Sequence, residues 1–231
     1  MGLVFAIVGA LLPTVPGVWA AERRVTLRTE DGVTLVGSYD EPARRPAPGI
    51  VLVHMLTRTH EDWQPLISRL AGEGFAVLAI DLRGHSGSGG ERSDLTAMLL
   101  DVRAAEAFLG GRPEVIASSL GIAGASIGAN LAVLAAADDE AVRSVALLSP
   151  GLDYRGLRTE AAMKKYGPRP ALLVASVNDA YAARSVRTLA SIGPGKPETR
   201  MTGAAGHGTV LLSRDHELVS VLVDWFRRTL L

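Results

Sequence analysis

The sequence predicts a mostly parallel, doubly wound α/β sheet with an antiparallel hairpin at its N-terminal edge. Three features carry that expectation. From Arg23 onward, short apolar runs of strand length alternate with helical stripes, the pattern of βαβ units whose sheet is covered on both faces. Near the start, Val25-Thr26-Leu27-Arg28 and Val33-Thr34-Leu35-Val36 flank Asp31-Gly32, a dipeptide that accepts the positive φ angles of a tight hairpin. Further on, Gly124-Ala125-Ser126-Ile127-Gly128 joins an apolar run to an alanine-rich helical pattern. This G-x-S-x-G spacing places a serine on a sharp strand-to-helix turn.

Taken in order, the hairpin strands cover roughly 23–29 and 33–40, and a proline- and arginine-rich connection follows over 41–48. Gly49-Ile50-Val51-Leu52-Val53-His54 is a continuous apolar run suited to a buried parallel strand. Trp63, Leu66, Ile67 and Leu70 recur at helical spacing, with Gly72 and Gly74 closing the helix. A second buried strand runs from Phe75 to Ile80 and ends in the glycine-rich loop 81–90. Ser93 or Asp94 then caps a helix that continues to about Leu109, with Leu95, Met98, Leu99, Val102 and Ala105 on one face. After the Ser126 turn come strands over 142–148, 171–175 and 198–201, and helices over 181–192 and 210–230, the last with a polar break near 214–216.

Residues 22–231 are thus expected to form one domain. The first 21 residues carry no charge. Leu3–Leu12 has the length of a signal-peptide core, and Val18-Trp19-Ala20 ends in the small residues a signal peptidase requires. Segment 1–21 reads as a cleaved leader, or alternatively as a retained anchor interrupted by Pro13 and Pro16. Export to periplasm or medium is expected, with membrane attachment only if the segment is kept.

Composition narrows the chemistry. The 231 residues include 48% hydrophobic ones, enough for a substantial core, and 24 Lys+Arg balance 24 Asp+Glu. No global field favours nucleic acid or an anionic surface, so a small-molecule or acyl substrate is expected. The absence of cysteine excludes a thiolate nucleophile and Cys-based metal sites. The five histidines include no H-E-x-x-H pair. No metal or organic cofactor is called for.

In an open α/β sheet the reactive ends are the carboxyl ends of the strands. Asp179 follows the 171–175 strand, His207 follows the last strand on the glycine-flanked Gly206-His207-Gly208, and His54-Met55-Leu56 follows the first long buried strand. The chain order is Ser126, Asp179, His207.

That order, with the G-x-S-x-G turn, the strand ending in histidine and the D-x-R-G-x-S-G-x-G loop from Asp81 to Gly89, resembles the α/β-hydrolase family over almost all of 23–231. The resemblance implies an α/β-hydrolase fold and a serine hydrolase. Ser126 would be the nucleophile, His207 its base and Asp179 the acid that orients the histidine. Backbone N–H groups of Ile127 and of the loop after His54, Leu56 ahead of Met55, would meet the oxyanion. Asp153, after the 142–148 strand, is the alternative acid. The family usually has glycine where Met55 stands, which predicts that Met55 points into the core or narrows the acyl pocket.

Only about twenty residues, 151–170, lie where relatives often insert a cap. A shallow, capless site for short or medium acyl esters or thioesters is expected, as in esterases and dienelactone-hydrolase-like enzymes. An aminopeptidase or acyl-peptide activity is the second enzymatic possibility, and a binding protein without chemistry the third. Other polar residues have plainer readings. His54 is expected to be buried and hydrogen-bonded, Asp81 and Arg83 to hold their loop, and His60, His85 and His216 to lie on the surface.

Overall fold

The computed structural model describes residues 23–231. Segment 1–21, read above as a leader or anchor, lies outside them. Among the described residues no helix is long and apolar enough to cross a membrane.

An eight-stranded sheet in the order β1-β2-β4-β3-β5-β6-β9-β10 organises the chain. The Asp31-Gly32 turn joins β1 (Arg23–Arg28) to β2 (Thr34–Asp40), with Gly32 at φ 84°. This antiparallel pair leans on β4 (Ala76–Ile80) through β2. From β4 onward every neighbour is parallel: β3 (Ala47–Val53), β5 (Val115–Ala125), β6 (Val142–Leu148), β9 (Ala171–Ser176) and β10 (Glu198–Thr202). β10 is an edge strand, bonded to β9 alone. β3 begins at Ala47, inside the stretch read as a linker, because the Ala47 N–H donates to the Glu114 carbonyl ahead of β5.

Alternation along the strands divides the core. Val51 and Val53 face one layer, with α2 (Met98–Gly110), α3 (Ile127–Asp138), α4 (Thr159–Tyr166) and α5 (Ala180–Ile192). Ile50 and Leu52 face the other, with α1 (Gln64–Gly72), α6 (Leu211–Arg214) and α7 (Leu218–Leu230). Helices therefore cover both faces, as the buried parallel strands require.

Two local differences from the sequence reading, and the break it expected near 214–216, have clear causes. α2 starts at Met98 because turns occupy 95–97, where Asp94 Oδ1 accepts from the Ala97 N–H at 3.1 Å. The C-terminal helix divides into α6 and α7 at Asp215, whose carboxylate pairs with Arg200. Segment 151–170 contains a two-stranded hairpin, β7 (Asp153–Tyr154) with β8 (Leu157–Arg158), followed by α4. Asn130 on α3, fully buried, accepts from the Gly151 N–H and donates to the Leu157 carbonyl, which fastens this short excursion to the body. Among the described residues no large cap stands over the sheet.

Candidate active site

Ser126 sits between β5 and α3 with φ 54° and ψ −117°, a left-handed conformation that costs a side-chain-bearing residue energy. The neighbours enforce it. A Cβ at Gly124 would come 2.1 Å from the Gly128 carbonyl oxygen, and one at Gly128 would come 2.4 Å from the Val53 oxygen and 2.6 Å from that of His54. Helix α3 can therefore start directly against the end of β3 only because both positions are glycine.

The turn, the β9 loop and the β10 loop bring three side chains together. Ser126 Oγ lies 2.7 Å from His207 Nε2, and His207 Nδ1 lies 2.5 Å from Asp179 Oδ2. Asp179 also caps α5, its Oδ1 accepting from the Ala182 N–H at 3.1 Å. Its two oxygens thus have separate partners, one holding the helix start and one holding the histidine. Ser126 is 4% exposed, while the His207 side chain is 41% exposed. The imidazole therefore keeps one edge toward solvent.

Asp153, the alternative acid, is not in this cluster. Its carboxylate accepts from the Gly156 N–H and from Arg158 Nε, across its own hairpin.

The N–H of Ile127 is the first of α3 and has no intrahelical acceptor. The N–H of Leu56 donates to no other described residue. Both expected oxyanion donors are thus uncommitted. Met55 is partly buried and packs against the core. Its sulfur packs beside the backbone of Gly208, where a Cβ would approach to 2.7 Å, and it joins the core layer under β3. Gly208, at φ 57°, gives the methionine room beside the histidine turn.

Histidines and one acid lace the loop after β3 to the loop after β4. His54 Nε2 accepts from the Leu82 N–H at 2.9 Å, and its Nδ1–H donates to the Met55 carbonyl at 2.8 Å. Burial, with help from the nearby His85, lowers the His54 pKa to about 4, so the ring is neutral at pH 7. His85 accepts from the Thr57 N–H and donates to the Arg83 carbonyl, its ring 4.8 Å from that of His54. Asp81 accepts from both the N–H and the Nδ1–H of His60. Burial would raise the Asp81 pKa, but the His60 bonds outweigh it and hold the carboxyl below its ordinary value. Arg83 ties the same loop to Asp101 on α2 and to Asp31 in the hairpin turn.

The expectation for His54 therefore agrees with the structure, as do those for Asp81 and Arg83 and for the exposed His216. The surface reading of His85 and His60 is corrected. His85 is 1% exposed, because its ring packs on His54. The His60 side chain is 17% exposed and ion-paired with the buried Asp81.

Three further residues support the histidine turn. Ser149, directly after β6 and at φ 52°, accepts from the Gly208 N–H at 2.9 Å. Thr209 donates to Asp62 at 2.5 Å, and Asn178 donates to the Gly203 carbonyl at 3.1 Å. No motif marks them. For Ser149, a polar residue directly after the apolar run 145–148 was the available signal.

A sheet of this order carrying a serine turn after β5 defines an α/β hydrolase. The chain belongs to that family: the sequence profile described as "Serine aminopeptidase, S33" matches residues 44–194. An uncharacterized protein of Mycobacterium tuberculosis is 30% identical over 123 residues, 53% of this chain and 43% of the relative. The chain thus matches less than half of that relative's length. Among solved structures, an esterase of Pyrococcus furiosus superposes with a TM-score of 0.79 at 20% identity, covering 94% of this chain and 99% of the other. A dienelactone hydrolase of Anabaena variabilis superposes with a TM-score of 0.78 at 19% identity, covering 92% and 100%. At these identities the superpositions speak for the fold.

Proposed function

We propose that this hydrolase cleaves short or medium acyl esters or thioesters through a covalent acyl-Ser126 intermediate. The observation that carries the reading is the continuous hydrogen-bonded chain from Ser126 Oγ through His207 to Asp179. In this reading His207 Nε2 takes the serine proton as Oγ attacks the acyl carbon, and later returns a proton to the leaving group. Water then attacks the acyl carbon with the same histidine as base, releasing the acid and Ser126. Asp179 holds Nδ1–H, fixing the tautomer and stabilising the imidazolium. The Ile127 and Leu56 N–H groups would receive the oxyanion. The short excursion over 151–170 supports a shallow site. Val177 and Tyr181, on either side of Asp179 in the chain and both exposed, offer apolar surface nearby.

Cleavage of aminoacyl amides is a second reading, favoured by the description of the matched profile. We further propose export, with processing after Ala20, which the mass of the mature N-terminus would test.

The test of the main reading is labelling with a fluorophosphonate beside a chain-length series of p-nitrophenyl esters and an aminoacyl amide. Labelling is expected in the parent, absent in Ser126→Ala and slowed in Asp179→Asn but not in Asp153→Asn, with best turnover below about ten carbons. A folded parent that neither labels nor hydrolyses any of these would leave a binding protein and overturn the proposal.

A further inference from the structure

At the far end of α3 from Ser126, roughly 18 Å along a twelve-residue helix, α2, α3 and the start of β5 enclose a cleft of about 480 Å³. Ala107, Gly110, Leu120, Ala135 and Ala141 give it small, apolar walls. Glu106 lines it too. That residue is 6% exposed, and its Oε1 has no hydrogen-bond partner among the described residues. A buried carboxyl oxygen left unpaired is rare in folded proteins and calls for a partner.

The charges around the cleft say which kind. Asp138 is already neutralised, by Arg103 on α2 at 2.6 Å and Lys165 on α4 at 2.6 Å. The guanidinium of Arg169 is committed to the carbonyls of Ala136, Asp139 and Val142. Among the described residues Asp139 accepts through a side-chain oxygen only from the Ala141 N–H. Neither Asp139 nor Glu106 forms a salt bridge with any described residue. Two acids thus face the cleft, and no described cationic side chain pairs with either.

We propose that this cleft binds a primary alkylammonium, with Glu106 as its counter-ion, Asp139 at the mouth and the alanine walls against the alkyl stem. A divalent metal is the poorer fit. Such ions want about six oxygen ligands, and no described group of three His, Cys, Asp or Glu side chains is placed to hold one. A monocation with an aliphatic stem uses both the charge and the apolar walls.

Binding is linked to a proton. Burial, and after it the charge of Asp139, raise the Glu106 pKa to about 8, with Asp138 adding to the rise and Arg103 opposing it. At pH 7 the carboxyl therefore holds its proton. When the ammonium enters, Glu106 ionises, the proton leaves to solvent, and an ammonium–carboxylate pair remains.

The experiment is calorimetric titration of the full chain with n-butylammonium chloride at pH 7, in two buffers of different ionisation enthalpy. Saturable binding with release of about one proton per amine is expected, while n-butanol and sodium chloride give none. Glu106→Gln, which keeps the shape, should lose at least about tenfold in affinity and all of the proton release. In the unaltered chain the ¹³C carboxyl resonance of Glu106 should move to its ionised position on adding amine, a reading that does not depend on the variant folding. Butanol binding as tightly as the amine, no binding of either, binding undiminished in Glu106→Gln, or a Glu106 resonance that stays in place would each overturn the proposal.

Discussion

The backbone N–H of Gly208 donates to the hydroxyl of Ser149 across 2.9 Å, fastening the turn that carries His207 to the end of β6. Ser149→Ala deletes that acceptor and leaves the backbone demand at this position unchanged. The lost bond is worth about 1 kcal/mol, and it acts on the orientation of His207, the proposed base. In ester hydrolysis kcat should fall about five- to tenfold with KM nearly constant. An unchanged kcat would show that Ser149 does not position the histidine.

Gly128 is the tightest approach of α3 to β3. The Cβ of Gly128→Ala would meet two backbone oxygens, of Val53 and His54, at 2.4 and 2.6 Å. Neither can swing aside as a flexible side chain would. The variant should lose about 2–3 kcal/mol of stability in urea unfolding. Gly72→Ala, where a Cβ meets nothing within 4 Å, is the control and should be neutral or slightly stabilising.

His54 sets an acid limit on the fold. Its pKa is about 4 in the folded chain against an ordinary 6.5, so below pH 6.5 the unfolded chain binds the proton that the folded one refuses. Stability is then full above pH 6.5 and falls as pH drops toward 4. Between pH 7 and 4.5 the loss from this group should be about 2–3 kcal/mol. In His54→Asn the slope of stability against pH over that window should flatten, and a slope equal to the parent's would refute the assignment.

Arg83 is 3% exposed and satisfies the fully buried Asp101, to which it donates at 2.9 Å through Nε. In Arg83→Gln that carboxylate loses its charge partner. A loss of about 3–5 kcal/mol is expected, and Asp101→Asn in the same background should restore part of it. Additive losses in the two variants would mean the pair is not the source.

Ser126, Asp179 and His207 were legible in the sequence because each follows a strand, Ser126 and Asp179 after strongly apolar runs, and because glycines flank Ser126 and His207. The sheet was readable for the same reason, since strands buried on both faces are nearly continuous in apolar residues. What stayed hidden depends on partners remote in the chain. Ser149 meets Gly208 59 positions later, and Asp62 meets Thr209 147 positions later. No local pattern announces such pairs. His85 stands in a glycine-rich loop and so reads as exposed, whereas its burial comes from packing on His54, which lies in another loop. Helix α4 escaped notice because its inward residues, Ala162, Met163 and Tyr166, are few and share a short stretch with Lys164 and Lys165.

The position of β10 separates the lifetime of the candidate site from that of the fold. Because β10 is fastened to the sheet by one neighbour, opening that ladder together with the Ser149–Gly208 bond would carry His207 away from Ser126 while the strands from β1 to β9 remain paired. Sub-global opening of this kind lies below the free energy of complete unfolding. Activity should therefore fade at lower denaturant than tertiary structure does, and amide protons of Thr199 and Met201 should exchange before those of Val51 or Ile122. The molecule would be switched off at its margin well before it comes apart at its centre.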